Sequence, residues 1–499
     1  MLKTYYIKTF GCQMNYADSE KIDMILRSAG LRKVLDPVLS DIVISNTCSV
    51  RQKWEDRVFG FIHEIERYHQ TNATGKKPLF GITGCMVRKS GLAKRYLKDE
   101  SGNMSEEYKR KNAEKIALLD SSDALSNYDD ELFLRSQSID FVFRIEEVSF
   151  LTKILSLITS EDIGNDAKFN EYLAVRQLQE NPASANVIIQ TGCDNYCSFC
   201  IVPYTRGREI SRDPDEIVAE IREVVKNWTR EVTLLGQNVN SYGKETKKKL
   251  WNAEELTWTD KNIQTPFRDL LDKISQIDGL DRIRFTSSNP HDMTLDILSA
   301  HFDLPHMTPH LHFALQSGSD TMLARMNRKH TYADFKSQVD YLRSRDPLFS
   351  ISTDIIVGFP GETEEEFQAT ATAMRECQFD VAFIARYSAR TGTTATNRFE
   401  DDISPSEKAR RWTILNDILR ETAQSRNLLM VGREEEILIS WEWKDDTWVG
   451  RTRNFKEVFI PKFPLDKGGE GDFAPIKIWD IVKVRITEGD KWVLKGERV

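Results

Sequence analysis

Three cysteines recur in this chain at near-equal intervals, each directly after a short β-rich run. Lys3–Thr9 ends at Gly11-Cys12, Asp41–Asn46 ends at Thr47-Cys48, and Lys77–Thr83 ends at Gly84-Cys85. The steps are 36 and 37 positions, about one strand–helix–strand unit each. Between them, Ser19–Ala29 sets Ile22, Ile25 and Leu26 on one helical face, and Val50–Tyr68 sets Trp54, Val58, Phe61, Ile62 and Ile65 on another. Parallel strands joined in this way bring their carboxyl ends to one edge, where open α/β sheets bind ligands. The pattern predicts three thiols along that edge. Three ordinary buried cysteines at strand ends would share the same spacing.

The 499 residues allow about three domains at roughly 100–200 residues each. The expected fold class is α/β throughout the larger part. Residues 1–158 form an N-terminal open α/β domain with a polar insertion at about 97–138, and 159–185 form a linker. Residues 186–430 form a partial (β/α)6 barrel. Its strands are expected at Val187–Gln190, Glu231–Leu235, Arg282–Thr286, His310–Leu315, Ser350–Val357 and Val381–Tyr387, with helices such as Pro214–Asn227, Pro266–Ile277, Tyr332–Ser344 and Thr363–Glu376 between them. A long helix over Ser406–Met430 closes that segment, and 244–261 is a charged insertion. Residues 431–499 alternate with period two over five short runs. They predict a small antiparallel β-barrel of a kind that often binds oligonucleotides, with a plain accessory barrel as the other reading.

Net charge is −8, from 69 Lys and Arg against 77 Asp and Glu. That excludes a uniformly basic nucleic-acid coat and leaves local basic patches open. No apolar run approaches the ~18 residues of a membrane helix. Met1–Ile7 reads as a strand rather than a secretory signal, so a cytoplasmic protein with no membrane partner is expected. Seven cysteines, an odd number, argue against a disulfide framework. Cys377 ends an amphipathic helix beside Phe379 and reads as packing.

The strongest local signal is Gly192-Cys193-Asp194-Asn195-Tyr196-Cys197-Ser198-Phe199-Cys200, just after the first barrel strand. Cysteines at i, i+4 and i+7 can wrap one metal centre from a single loop. Three thiolates suit an iron–sulfur cubane and leave one iron without a protein ligand. Zinc would call for a fourth nearby His or Cys, which the loop lacks. A non-enzymatic RNA-binding protein with structural zinc stays open as a rival.

These residues resemble the radical S-adenosylmethionine superfamily, including Phe199 before the last cysteine. The leading cysteine triad, the barrel and the terminal β-domain narrow the likeness to its methylthiotransferase family, whose small terminal domain is called TRAM. Cys200-Ile201-Val202-Pro203-Tyr204-Thr205-Arg206-Gly207-Arg208-Glu209-Ile210-Ser211-Arg212, Leu235–Tyr242 and Ile356–Glu362 are similar to the tRNA-modifying branch. The resemblance covers nearly the whole chain apart from the insertions near 97–138, 244–261 and 463–475. It implies two 4Fe–4S clusters, one on Cys193, Cys197 and Cys200 and one on Cys12, Cys48 and Cys85. It also implies S-adenosylmethionine as methyl donor and as source of a 5′-deoxyadenosyl radical. The implied reaction is methylthiolation at C2 of N6-dimethylallyl adenosine 37 in tRNA. The partners implied are the anticodon stem-loop and an electron donor such as a flavodoxin or ferredoxin, with the enzyme as a monomer. A methylthiotransferase acting on a threonylcarbamoyl-adenosine or on a ribosomal-protein aspartate remains the closest rival.

Softer candidates follow from strand-end positions. Gln237, Asn238, Ser288, Gln316 and Asp354 are candidates to bond the cofactor's ribose and amino acid, or else structural hydrogen bonders. Gly358, Pro360 and Gly361 allow close backbone approach to adenine, or form a tight turn capped by Thr363. Arg206, Arg208 and Arg212, and Arg325, Arg328, Lys329 and His330, are two basic groups for RNA phosphates, or else solvated faces.

Overall fold

A computed structural model describes residues 2–48, 52–72, 77–87, 138–159, 161–163, 172–175, 183–244, 258–260, 263–444, 446–462 and 476–499, with isolated positions 132, 136 and 177. Most of the expected insertions at 97–138 and 244–261, and all of 463–475, lie outside these residues. The chain forms two compact units: Met1–Glu180 with Cys200–Arg208, and Asn181–Phe199 with Glu209–Val499.

The first unit is built on a five-stranded sheet of β1 (Thr4–Phe10), β2 (Arg32–Lys33), β3 (Ile42–Thr47), β4 (Leu79–Gly84) and β5 (Phe141–Val142), in the order β2-β1-β3-β4-β5. Every ladder is parallel. β3 is buried along its whole length, as a central parallel strand covered on both faces should be. The helix Gln52–Asn72 lays Val58, Phe59, Ile62 and Ile65 against Phe10, Val43 and Phe80. The other helix, Gln13–Ser28, begins a turn and a half before the expected Ser19. Its first turns are polar yet buried, with Asn15, Asp18, Lys21 and Asp23 at most 1% exposed. A stripe of buried polar residues reads as solvent-facing in sequence, which is why the start was missed.

In the second unit, β6 (Ser184–Ile188) opens the barrel. A two-residue hairpin of β7 (Gln190–Thr191) and β8 (Ile210–Ser211) follows, then β9 (Glu231–Leu235), β10 (Arg282–Phe285), β11 (His310–His312), β12 (Ser350–Val357) and β13 (Val381–Arg386). β6, β9 and β10 pair in parallel, as do β11, β12 and β13. Parallel bridges Ile283–Met307 and Ser288–Phe313 join the two sets. Six strands in sequence order with helices outside make the expected partial barrel. The helix Pro214–Lys226, capped by Asp213, turns Ile217, Val218, Ile221 and Val224 onto the sheet. Helix Leu295–Asp303 fills the connection between β10 and β11.

The C-terminal barrel closes as β14 (Glu434–Trp443), β15 (Thr447–Arg451), β16 (Glu457–Pro461), β18 (Leu494–Arg498) and β17 (Ile481–Gly489). It is antiparallel except at one seam, where β16 and β18 run parallel. It docks at the amino ends of the barrel strands. Arg282 donates to the carbonyls of Arg451 (2.8 Å) and Glu436 (2.7 Å), and Arg284 to that of Thr452 (3.1 Å). Phe455 stacks on His310 with ring centroids 4.7 Å apart. Asp380, just before β13, accepts from Lys456 at 2.6 Å and lies 3.4 Å from Arg426 and 3.5 Å from Arg343.

Burial alone would raise the Asp380 carboxyl, but Lys456 and then Arg426 outweigh it and hold it below the usual aspartate range. Burial pushes the Lys456 ammonium down more than Asp380 pulls it up. With three cations around one carboxylate, the carboxylate's direction is the one the geometry supports. Asp380→Ala should therefore cost roughly 3–5 kcal/mol in urea unfolding, because three cations lose their counter-charge. The Asp380 contribution is present above an unfolded value of about 3.9 and is lost as pH falls through the lower folded value. Acid unfolding of Asp380→Ala should accordingly be flatter in that window.

Candidate radical and sulfur sites

The parallel register sets the leading thiols side by side. Phe10, Thr47 and Gly84 are laterally paired across β1, β3 and β4. The Cys48 amide donates to the Phe10 carbonyl and the Cys85 amide to the Thr47 carbonyl, each at 2.7 Å. Cys12 caps the Gln13–Ser28 helix. Its thiol donates to Asn15 Oδ1 at 3.4 Å, which also accepts the Cys12 amide at 3.2 Å. The Asn15 amide donates on to Asn46 Oδ1 and the Thr47 carbonyl at 3.2 and 3.1 Å. These two buried asparagines, which sequence reading passed over, fix Cys12 against Cys48. The spacing of Asn15 three residues after Cys12 was a usable capping signal.

Glycines make room beside the thiols. A Cβ on Gly11 would lie 2.9 Å from Cys48 Cβ, and one on Gly84 would lie 2.3 Å from the Thr47 carbonyl oxygen. Gly84 also holds φ at +90°. Cys48 and Cys85 are buried, whereas Cys12 is open to solvent at the edge.

In the second unit the Gly192–Cys200 loop leaves β7, with Gly192 at φ +80°. Cys193 and Cys197 belong to this unit, and Cys200 begins the segment that belongs to the first. The loop is held by the carboxyl end of the helix Asp320–Arg325. The Ser198 amide and hydroxyl donate to the Met326 and Arg325 carbonyls, each at 3.0 Å, and Asn327 donates to the Tyr196 carbonyl at 2.9 Å. Phe199 packs with Met322, Met326, Phe359 and Tyr387. Asp194 and Glu209 exchange backbone-to-carboxylate hydrogen bonds at 3.2 and 3.3 Å. Burial raises the Glu209 carboxyl, with Asp292 adding to it.

The strand-end candidates divide. Ser288 Oγ, Gln237 Oε1 and Asn238 Oδ1 are buried without a partner, as is Gln190 Oε1. These acceptors stand at the carboxyl ends of successive strands and suit the hydroxyl and ammonium groups of S-adenosylmethionine. Asn238 also donates to buried Asp292 at 2.7 Å, which Lys244 pairs at 2.8 Å. Gln316 holds φ at +74° and bonds through its backbone to β12. Asp354 accepts from His312 at 2.9 Å. The Gly358–Gly361 turn is fixed from within. The Gly358 amide donates to Glu362 at 2.6 Å, Glu362 pairs with Arg411 at 2.7 Å, and Gly361 donates to Asp402 at 2.7 Å. A Cβ on Gly358 would strike Lys408. Pro360 is buried and its carbonyl faces Arg325.

The structure sorts the expected phosphate-binding cations into buried, half-buried and exposed members. Arg206 is buried and paired with Asp18. Arg212 pairs with Glu220 at 2.7 Å, with its side chain 8% exposed. Arg325 reaches the Gly361 carbonyl at 2.9 Å and Glu366 at 3.3 Å. Arg328 donates to Cys197 Sγ at 3.4 Å and to the Ala314 carbonyl at 2.8 Å. His330 is buried, and burial, then Arg328, pushes it down to about 3, so it is neutral near pH 7. Arg208 and Lys329 are the exposed members. Among the described residues no three His, Cys, Asp or Glu gather closely enough for a single metal ion. A cubane draws its thiolates from farther apart than one ion does.

Residues 187–374 match the family model of the Radical SAM superfamily, 4–104 that of the uncharacterized protein family UPF0004, and 428–499 that of the TRAM domain. The chain is thus a radical S-adenosylmethionine enzyme, a class that carries a 4Fe–4S cluster and S-adenosylmethionine. It is 36% identical to the tRNA-2-methylthio-N(6)-dimethylallyladenosine synthase of Dictyoglomus thermophilum, over 99% of this chain and 98% of that one. It is also 36% identical to the enzyme of the same name from Geobacter sulfurreducens, over 95% of each. Among solved structures it is similar to the radical S-adenosylmethionine methyltransferase TsrM of Kitasatospora setae with cobalamin and [4Fe-4S] cluster bound. That match is 13% identical, with TM-score 0.49 over 79% of this chain and 77% of that one. The chain belongs to the family of tRNA-2-methylthio-N(6)-dimethylallyladenosine synthases.

Gly84→Ala tests the thiol edge directly. A side chain at φ +90° against a backbone oxygen should destabilise the iron-free protein by about 1–3 kcal/mol, read by chemical denaturation.

Proposed function

We propose that this protein methylthiolates C2 of N6-dimethylallyl adenosine 37 in tRNA, in the cytoplasm and as a monomer. The reading rests above all on one observation: two separate cysteine triads, one at the carboxyl ends of three parallel strands and one on the single loop that leaves β7, in a chain similar over its full length to enzymes of that name. Cys193, Cys197 and Cys200 would hold the cluster that binds S-adenosylmethionine. When bound, these groups supply one-electron cleavage of the cofactor and a methyl group for transfer.

The chain's own residues then have defined work. Ser288, Gln237 and Asn238 present acceptors to the cofactor, Gln316 and Asp354 bond its ribose and amino acid, and Gly358, Pro360 and Gly361 form its backbone turn. Arg328 sets a positive charge beside Cys197 and balances the thiolates. Phe199 and its apolar partners keep water from the cluster loop, which matters for attack on an unactivated C–H bond. The aligned thiols of Cys12, Cys48 and Cys85 support a second 4Fe–4S cluster, with an iron free to carry the sulfur to be transferred.

Anticodon stem-loop binding draws support from the TRAM match and from exposed Trp443 and Trp492 on the small barrel, suited to stacking on unpaired bases. Exposed Arg208 and Lys329 would meet phosphate. A flavodoxin or ferredoxin would supply electrons. Cys48→Ala should lower the load from two clusters per chain to one by iron and sulfide counting, still cleave S-adenosylmethionine, and form no methylthiolated adenosine. Methylthiolated tRNA from that variant at the normal yield would overturn the division of labour. Cys197→Ala should abolish both reactions.

A further inference from the structure

A line of hydrogen-bonded side chains crosses the interior of the large barrel. On β11 and β12, Leu311, Ile351, Ile355 and Val357 join the apolar core beneath the helices. Strand alternation therefore turns His310, His312, Ser352 and Asp354 inward. His310 Nε2 lies 3.2 Å from Ser352 Oγ, and the same oxygen lies 3.0 Å from His312 Nδ1. His312 Nε2 lies 2.9 Å from Asp354 Oδ2. The far end is pinned, because His310 is buried and stacks on Phe455 of the small barrel.

The protons of this line have one consistent arrangement. A carboxylate only accepts, so His312 donates to it from Nε2. Burial, and next Arg284, hold His310 well below the usual histidine value, so its ring carries one proton. His310 Nδ1 is buried without a partner. An unpaired N–H is harder to tolerate there than an unpaired lone pair, which puts the proton on Nε2, toward Ser352. The Ser352 proton is then left for His312 Nδ1. Every hydrogen bond points the same way, toward Asp354. The Asp354 side chain is 38% exposed, within reach of a ligand, whereas that of His312 is only 12% exposed behind it.

β12 runs on from Asp354 into the backbone turn at Gly358–Gly361 proposed for adenine, and ribose is the part of the cofactor bonded to adenine. We propose that His312 is a positioning residue: through the line that begins at His310, it fixes the Asp354 carboxylate so that the carboxylate accepts from the ribose hydroxyls of S-adenosylmethionine. This rests on the reading of Asp354 as a cofactor ligand. The plainer alternative is that the line only satisfies polar groups inside the barrel.

The test measures equilibrium binding of two probes to the full-length, cluster-loaded protein: S-adenosylhomocysteine and its analogue lacking both ribose hydroxyls. His312→Leu should weaken S-adenosylhomocysteine by about tenfold, the size of one hydrogen bond to a charged group, and leave the analogue unchanged. His312→Gln, whose amide can still donate, should stay within about threefold of the unaltered protein. A line that only fills the barrel would move both probes alike or neither. Asp354→Asn at full affinity would sink the placement of Asp354 and this inference together. Where Asp354→Asn weakens S-adenosylhomocysteine but His312→Leu does not, or weakens both probes equally, the role of His312 is overturned and that of Asp354 stands. Should His312→Leu not fold, Ser352→Ala carries the test, with a loss of about threefold confined to S-adenosylhomocysteine expected and an equal loss for both probes overturning the proposal.

Discussion

Parallel strand pairing governs this protein's chemistry. In a parallel sheet every strand ends on the same side, so whatever follows each strand is delivered to one edge. In the first unit that delivers Cys12, Cys48 and Cys85, tied across the edge by amide bonds from Cys48 to Phe10 and from Cys85 to Thr47. In the second it delivers unsatisfied acceptors at Gln237, Asn238 and Ser288, and the short hairpin after β6 adds Gln190 and the Gly192–Cys200 loop. One topological rule thus builds both sites.

The opposite ends of the barrel strands carry a different kind of interaction. Arg282, Arg284, Glu231 and Asp380 are buried there; Glu231 pairs with Arg284, and the small β-barrel supplies partners to Arg282, Arg284 and Asp380. Charges removed from water are tolerated only when they are paired and hydrogen-bonded. The docked barrel meets that condition through backbone carbonyls as much as through carboxylates. The amino ends are therefore closed by structural contacts, and the carboxyl ends remain for the reaction.

Much of this was legible in advance. β9 and β12 run over the expected residues, and the helix Pro214–Lys226 ends one residue early. These elements alternate apolar strand and amphipathic helix, and such periodicity reports burial directly. The start of Gln13–Ser28 was not legible, because its inward face carries Asn15, Asp18 and Asp23. The parallel β16–β18 seam escaped for a related reason. Period two shows that a run is a strand, not which neighbour it pairs with.

The sequence by itself determined where the chemistry stands along the chain: two thiol triads at strand ends, the barrel between them and the terminal β-domain. It did so because strand ends and cysteine spacing are local properties. Only the tertiary structure decided what the arginines do. Arg206 meets Asp18 across 188 positions, and Arg328 meets Cys197 across 131. A cation's partner is set by which carboxylate or sulfur the fold brings within reach, and no local pattern encodes that distance.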